Sequence, residues 1–225
     1  MILTTHKTPL FASEKAPGAT RNRVLNVAEQ LFAERGLHAV SIRDITRAAG
    51  VNLGAINYHF GSKERLIGAV FERRIAPISE ERLRALEAAE KTAGDVPPTL
   101  EAVLDAMFRP TVEQAMDPER GGATFGKLMV RCFVEPHTAV EEVMRRYLDP
   151  VVRRFDTVLM CVKPNLTAED VLWRMHLLIG ALHQSLLLWD RTLPDGRTLR
   201  MEPETYLKRF LAFAKTAFHA SIPEA

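Results

Sequence analysis

The chain has 225 residues, 47% of them hydrophobic and 26% charged, with a formal net charge of +2. That length and balance suit one or two globular domains with a sizeable core, and a charge this small excludes neither nucleic acid nor a neutral partner. Its two cysteines, Cys132 and Cys161, show no Cys-x-x-Cys or His-x-x-x-His spacing, so nothing points to a disulfide framework or a zinc site.

Residues 1–19 mix prolines and glycine with Lys and Thr and read as a disordered arm. The arm lacks the continuous apolar core of a signal peptide, which predicts a cytoplasmic protein. Thr20 is the predicted N-cap of a helix from Arg21 to about Arg35, stopped by Gly36. Its buried stripe is Val24, Leu25, Ala28, Leu31 and Phe32. Ser41, with Asp44 three residues on, opens a second helix by a capping-box variant, and Gly50 ends it near Ala49. Asn52 caps a short third helix. Ser62 opens a longer one that runs to about residue 91, with Pro77 expected to kink or interrupt it. The stretch "TAGDVPP", residues 92–98, is the predicted domain junction.

Five further helical patterns follow, near 99–116, 123–134, 137–162, 167–190 and 203–220. No segment alternates with period two, so the fold class is all-α. From Leu172 to Trp189 apolar residues occupy nearly every angle, which implies burial on more than one side. Arg174, His176 and His183 within that stretch argue against a membrane span.

The third helix carries the clearest functional signal. At about 100° per residue, Ala55, Ile56 and Phe60 share the packing side, while Leu53, Gly54, Asn57 and Tyr58 share the opposite arc. Gly54 and Asn57 both weaken a helix, so packing alone does not account for them. Gly54 lets a backbone approach closely. The Asn57 amide donates and accepts together, matching an adenine edge, and Tyr58 can donate to phosphate. Two short helices joined at a glycine, the second bearing such a face, make a helix-turn-helix.

The stretch "RNRVLNVAEQLFAERGLHAVSIRDITRAAGVNLGAINYHFGSKERLIGAVFERR" closely resembles the DNA-binding domain of TetR/AcrR-type transcriptional repressors. The resemblance implies a homodimer on double-stranded operator DNA. It implies a helix-turn-helix head over 20–66 and a helical ligand-binding and dimerisation domain over 92–225. DNA contacts carried over by it are Ser41, Arg43, Leu53, Gly54, Asn57, Tyr58, His59 and Lys63. Position 57 is commonly Tyr in the family and position 53 often polar, so Asn57 and Leu53 depart from the pattern. His59 falls on the packing side of the wheel, and its phosphate role comes from the resemblance.

The last two helices usually form the family's dimer interface, which here predicts Leu182, Leu186, Trp189, Leu207, Phe210, Leu211 and Phe218. The segment "VLWRMHLLIGALHQSLL" resembles members that respond to fatty-acyl compounds. Pocket candidates are Met107, Phe125, Met129, Phe133, Phe155, Leu159, Trp173, His176 and Leu177, the methionines being able to repack around a flexible apolar guest. The resulting expectation is a repressor released from a palindromic site by a small apolar, acyl-type effector, with no cofactor, metal or catalytic residue. Two alternatives stay open: a DNA-binding dimer without an effector, and a metal-dependent helical enzyme using His176 and His183, with Glu135, His137, Glu141 and Glu142 clustered in sequence.

Overall fold

A computed structural model describes residues 18–189, 191–198 and 200–221, so residues 1–17 of the expected arm lie outside the described residues. Among the described residues there are nine helices: α1 (Ala19–Arg35), α2 (Ile42–Ala49), α3 (Leu53–His59), α4 (Lys63–Ala93), α5 (Leu100–Met116), α6 (Gly122–Val134), α7 (Thr138–Val162), α8 (Ala168–Leu188) and α9 (Pro203–His219). The all-α expectation holds there, a lone bridge between Thr192 and Thr198 being the one piece of β pairing.

The caps explain most boundaries. Ser41, Asn52, Ser62, Thr99 and Thr167 each accept a hydrogen bond from the backbone N–H three residues on, which satisfies one of the orphan donors of a helix start. Two expectations change. Helix α1 starts at Ala19 behind Gly18, so Thr20 lies inside the helix and caps nothing. Helix α4 continues through Pro77 as one element of 31 residues. Pro77 is exposed, so its ring is accommodated on the solvent side, and burial on either side keeps the helix together.

The core divides into two clusters that share α4. One joins Val24, Leu25 and Phe32 of α1 to Ile45, Ile56 and Phe60, then runs along α4 from Leu66 to Ile78 and takes in Phe125 and Leu128 of α6 and Val140 of α7. The cluster that holds α1–α3 extends along α4 past residue 66 to Ile78 and on into α6 and α7. The second cluster packs Leu86, Phe108, Phe155, Leu178, Leu207 and Phe218 from α4, α5, α7, α8 and α9.

A buried carboxylate fastens α1 to α4. Glu29 is 2% exposed and takes Arg74 Nε at 2.9 and 3.1 Å, together with the Arg73 guanidinium. Arg74 also donates to the Arg120 carbonyl at 2.6 Å, and Arg120 pairs with Glu81 at 2.7 Å. Glu29→Gln keeps the shape but leaves two guanidinium groups facing a neutral amide. The expected loss in urea unfolding, at fixed protein concentration, is on the order of 2–3 kcal/mol, below the roughly 3–5 of a fully buried pair because both arginines keep some solvent. An unchanged midpoint would show that apolar packing alone joins α1 to α4.

Candidate nucleic-acid interface

Helices α2 and α3 meet at Gly50, whose φ of 63° is the left-handed turn that ends α2. The Val51 N–H returns to the Thr46 carbonyl at 3.0 Å, and Asn52 Oδ1 takes the Ala55 N–H at 2.9 Å to start α3. Ile56 and Phe60 then anchor α3 in the head core, 1% and 6% exposed. The opposite arc is open: Tyr58 is 85% exposed and Leu53 55%, with Gly54 and Asn57 exposed beside them. This is the division that the helical wheel predicted. At Gly54 an added Cβ would meet only Asn52 Oδ1, at 3.2 Å, so nothing inside the protein needs the missing side chain.

The remaining predicted contacts sit around this face with different freedom. Arg43 is exposed, and its guanidinium has no partner among the described residues. Ser41 is committed to the capping box: its hydroxyl donates to Asp44 Oδ2 at 2.5 Å and accepts from the Asp44 N–H at 3.2 Å. The hydroxyl's bond to that carboxylate first, and the Ser41 N–H donated to the same Oδ2 at 3.0 Å second, hold the Asp44 carboxyl below its ordinary value. His59 is half-buried, its ring edge-on to Tyr58 with centroids 5.0 Å apart. Lys63 is half-buried too, and its Nζ donates to the His38 carbonyl at 3.3 Å. The lysine thus ties the start of α4 to the turn after α1.

That same turn is held from the other side. Glu135, at the end of α6, accepts the Leu37 N–H at 2.6 Å and Arg131 at 2.8 Å, while Arg131 reaches the Glu34 carbonyl at 3.2 Å. Burial pushes the Glu135 carboxyl up, but the Leu37 amide and Arg131 outweigh it and keep it low. Gly36 is required here. Its φ is 92°, and a Cβ would come within 2.5 Å of Glu135 Oε1. Sequence reasoning read Gly36 only as a helix stop and missed Glu135 as the latch, because the Leu37 N–H that it accepts lies 98 residues away. Glu29 carried a readable signal: it lies four residues after Leu25 and three before Phe32, on the buried stripe itself.

The expected pocket does not assemble. Met107, Phe155 and Leu159 lie in the lower core, and Phe125 and Met129 lie in the upper one. Trp173 and Leu177 are 59% and 65% exposed on the outside of α8, with His176 exposed next to them. The Phe133 side chain lies outside the described residues. Apolar periodicity cannot separate a pocket wall from ordinary core, which is why one set scattered into three places.

The expected dimer contacts need correction as well. Leu182, Leu207, Phe210, Leu211 and Phe218 are between 1% and 9% exposed and fill the protomer's own core, so they present no surface to a second copy. Leu186 is half-buried against both clusters, and the half-buried Trp189 donates its Nε1–H to the Met201 carbonyl at 3.1 Å. Each helix has two apolar sides, and the core took the side first assigned to the partner.

Of the acidic and histidine residues weighed for catalysis, Glu135 and His137 have structural work. His137 Nδ1 accepts the Ala139 N–H at 3.2 Å to cap α7, and its ring packs on His38 with centroids 5.8 Å apart. His176 is exposed on the outside of α8, whereas His183 on the same helix is half-buried and faces Arg82 of α4. Among the described residues no three His, Cys, Asp or Glu side chains come together as metal ligands.

Comparison with known proteins agrees with this geometry. Residues 24–70 match the family described as bacterial regulatory proteins, tetR family, and residues 105–217 match the tetracyclin repressor-like C-terminal domain. The chain is 29% identical to the HTH-type transcriptional regulator AcrR of Shigella flexneri over 84% of its own length and 86% of that protein's. It is 46% identical to the HTH-type transcriptional repressor KstR2 of Rhodococcus jostii over 50 residues, 22% of this chain and 24% of that one. Among solved structures it shares its fold with the fatty acid degradation regulator FadR of Bacillus halodurans, at TM-score 0.62 and 18% identity over 89% and 96% of the two chains. A putative transcriptional regulator from Pseudomonas aeruginosa PAO1 superposes at TM-score 0.63 and 16% identity over 91% and 93%. With both of its parts matched and its recognition face open, this chain belongs to the TetR/AcrR family of DNA-binding transcriptional regulators.

Proposed function

We propose that the protein is a cytoplasmic homodimeric repressor that reads a palindromic operator through α3 and is released by a small, largely apolar effector held in its helical domain. The observation that carries the reading is the exposed arc of Leu53, Gly54, Asn57 and Tyr58 on a helix whose other side is fully anchored. Asn57 stands in the middle of that arc as the base-reading residue. Arg43 and Tyr58 contribute phosphate contacts that position the head. Lys63 acts through the His38 carbonyl, setting the approach of α4 rather than serving as a free phosphate contact.

Dimerisation uses the outer faces of α8 and α9. Leu172, Trp173 and Leu177 of α8 and Phe213 of α9 are each more than half exposed, an unusual concentration of large apolar side chains. Trp173, Leu177, Gly180 and Gln184 form one stripe at helical spacing. Gly180 costs α8 about 1 kcal/mol relative to Ala, and an added Cβ there would meet nothing within the protomer. Its small size suits the close approach of a second helix. By length and composition alone α8 could cross a bilayer. Yet Arg174 is buried in the protomer, donating to the Ala217 and Ala220 carbonyls at the end of α9, which favours a water-soluble role for the helix. A symmetric dimer then fixes the spacing of the two α3 helices on DNA.

Release follows if the effector binds better to an arrangement with the wrong α3 spacing. A tenfold weakening of operator binding needs about 1.4 kcal/mol of differential affinity, and operator DNA must weaken effector binding equally. Helix α4 is the common part, since the head core and the effector-domain core both pack on it.

Two measurements test this reading. In a binding-site selection, Asn57→Ala should lose preference at one base position, a cost of about 1–3 kcal/mol for a bidentate contact. Arg43→Ala should weaken all sequences alike and lower the salt slope by about one unit. An unchanged motif for Asn57→Ala would remove its reading role. In sedimentation, Leu177→Glu with Phe213→Glu should give a folded monomer at micromolar concentration, because unpartnered charges cannot be buried cheaply. A dimer that persists would place the interface elsewhere.

A further inference from the structure

Six polar or charged residues are buried among the described residues, and four of them lie on one seam between α4 and α5: Ser79 and Arg82 on α4, Thr111 and Gln114 on α5. Each pair is spaced three residues apart, so each shares one helix face. Arg82 is 8% exposed, donates Nε to the Met107 carbonyl at 2.8 Å and donates Nη2 to Thr111 Oγ1 at 2.7 Å. Its Nη1 donates to nothing among the described residues and keeps a little contact with solvent. The Ser79 hydroxyl, one turn earlier, is buried and has no hydrogen-bond partner there either.

The charge balance of the seam is incomplete. Acids nearby on the same helices are committed elsewhere: Glu81 to Arg120, Glu113 to Arg109 and Arg120, Glu90 to Arg154. Burial pulls the Arg82 guanidinium down to about 10, which still leaves it a cation at neutral pH. His183 of α8 faces it and is pushed down to about 4, chiefly by burial, so it is neutral and supplies no compensating charge. Pro110 lacks the N–H that would bond the Ala106 carbonyl, so the α5 ladder is interrupted one residue before Met107, whose carbonyl takes Arg82. A neutral amide would satisfy that carbonyl and the Thr111 hydroxyl equally well. A buried cation without a counter-charge is expensive, and its removal in favour of an apolar side chain is commonly neutral or stabilising.

We propose that the α4–α5 seam is an anion-recognition site in which Arg82 Nη1 and the Ser79 hydroxyl hold the carboxylate of an otherwise apolar effector. The inference rests on the effector-release reading above and narrows it to ligands with one anionic head. His183 of α8 lies close to Arg82, and the second half of α8, from Ile179 through Leu188, is only half-buried wherever it meets the core except at Leu182. A carboxylate reaching Arg82 parts α5 from α4, which pack closely along the seam, and α4 carries the head. Recognition and release are thereby one movement. The apolar tail lies along Met107 and Phe108 of α5, next to the carbonyl that Arg82 already holds.

The test uses the full-length protein, dodecanoate, and its methyl ester as the uncharged match. In calorimetric titrations the wild type should prefer the acid by about tenfold or more, the range of a charge-assisted hydrogen bond in a low-dielectric site. Arg82→Met should abolish that preference while leaving ester binding and the thermal midpoint unreduced. Ser79→Ala deletes an unsatisfied hydroxyl and should fold normally, so it reports even if the arginine variant does not fold; it should reduce the preference severalfold. Equal binding of acid and ester by the wild type overturns the anion site, as does an acid preference that survives both substitutions. If the ester alone binds and releases operator DNA, the release reading stands and only the anion site falls. If neither compound binds or shifts operator affinity, the acyl-type effector falls together with the site proposed for it.

Discussion

Helix α4 is packed by α1 near its start, by α5 and α7 along its length, and it contributes apolar residues to both hydrophobic clusters. At 31 residues it runs about 46 Å, long enough to reach from the recognition head deep into the helical domain. Two rigid bodies joined by an exposed linker would move independently. A continuous helix buried at both ends makes them mechanically one. The position of α3 is therefore decided by everything that packs on α4.

Polar contacts sharpen that coupling at two places. Glu29 binds the arginines in the middle of α4 to α1, and Arg74 passes the connection on to the loop before α6 through the Arg120 carbonyl. Glu135 at the other end of α6 grips the Leu37 amide behind α1. Helix α6 is thus fastened to the head at both ends, once through arginine and once through a carboxylate. Apolar contact alone tolerates sliding; short charge-assisted bonds with fixed directions do not. A displacement of α6 or α4 is consequently felt at the turn that orients α2 and α3.

The same logic separates the buried polar groups by purpose. Glu29 has its counter-charges, and Arg174 terminates α9 by binding the carbonyls that the helix end leaves free. Arg174 still leaves its Nε buried and unbonded, as does Arg73 beside Glu29. At the α4–α5 seam the buried Ser79 hydroxyl is unbonded too, and burial lowers the Arg82 guanidinium with no acid paired to it, against an α5 helix that runs on through Pro110. That combination is what the proposed anion site rests on.

The sequence by itself determined the run of helices, the caps at Ser41, Asn52 and Ser62, and the exposed arc of α3. Each of these depends on residues within a few positions of one another: Ser41 with Asp44, Asn52 with Ala55, and the periodicity that sets Ile56 and Phe60 against Asn57 and Tyr58. The tertiary structure alone decided which side of a doubly apolar helix is core. Leu182, Phe210 and Phe218 went inside, while Trp173, Leu177 and Phe213 stayed out, although all six look alike in composition and spacing. It also decided that Lys63 holds the His38 carbonyl, that Glu135 meets Leu37 across the chain, and that Arg82 has no acid beside it. The reason is range: hydrogen bonding within a turn and helical periodicity are local, whereas burial and charge pairing depend on neighbours that only the folded chain brings together.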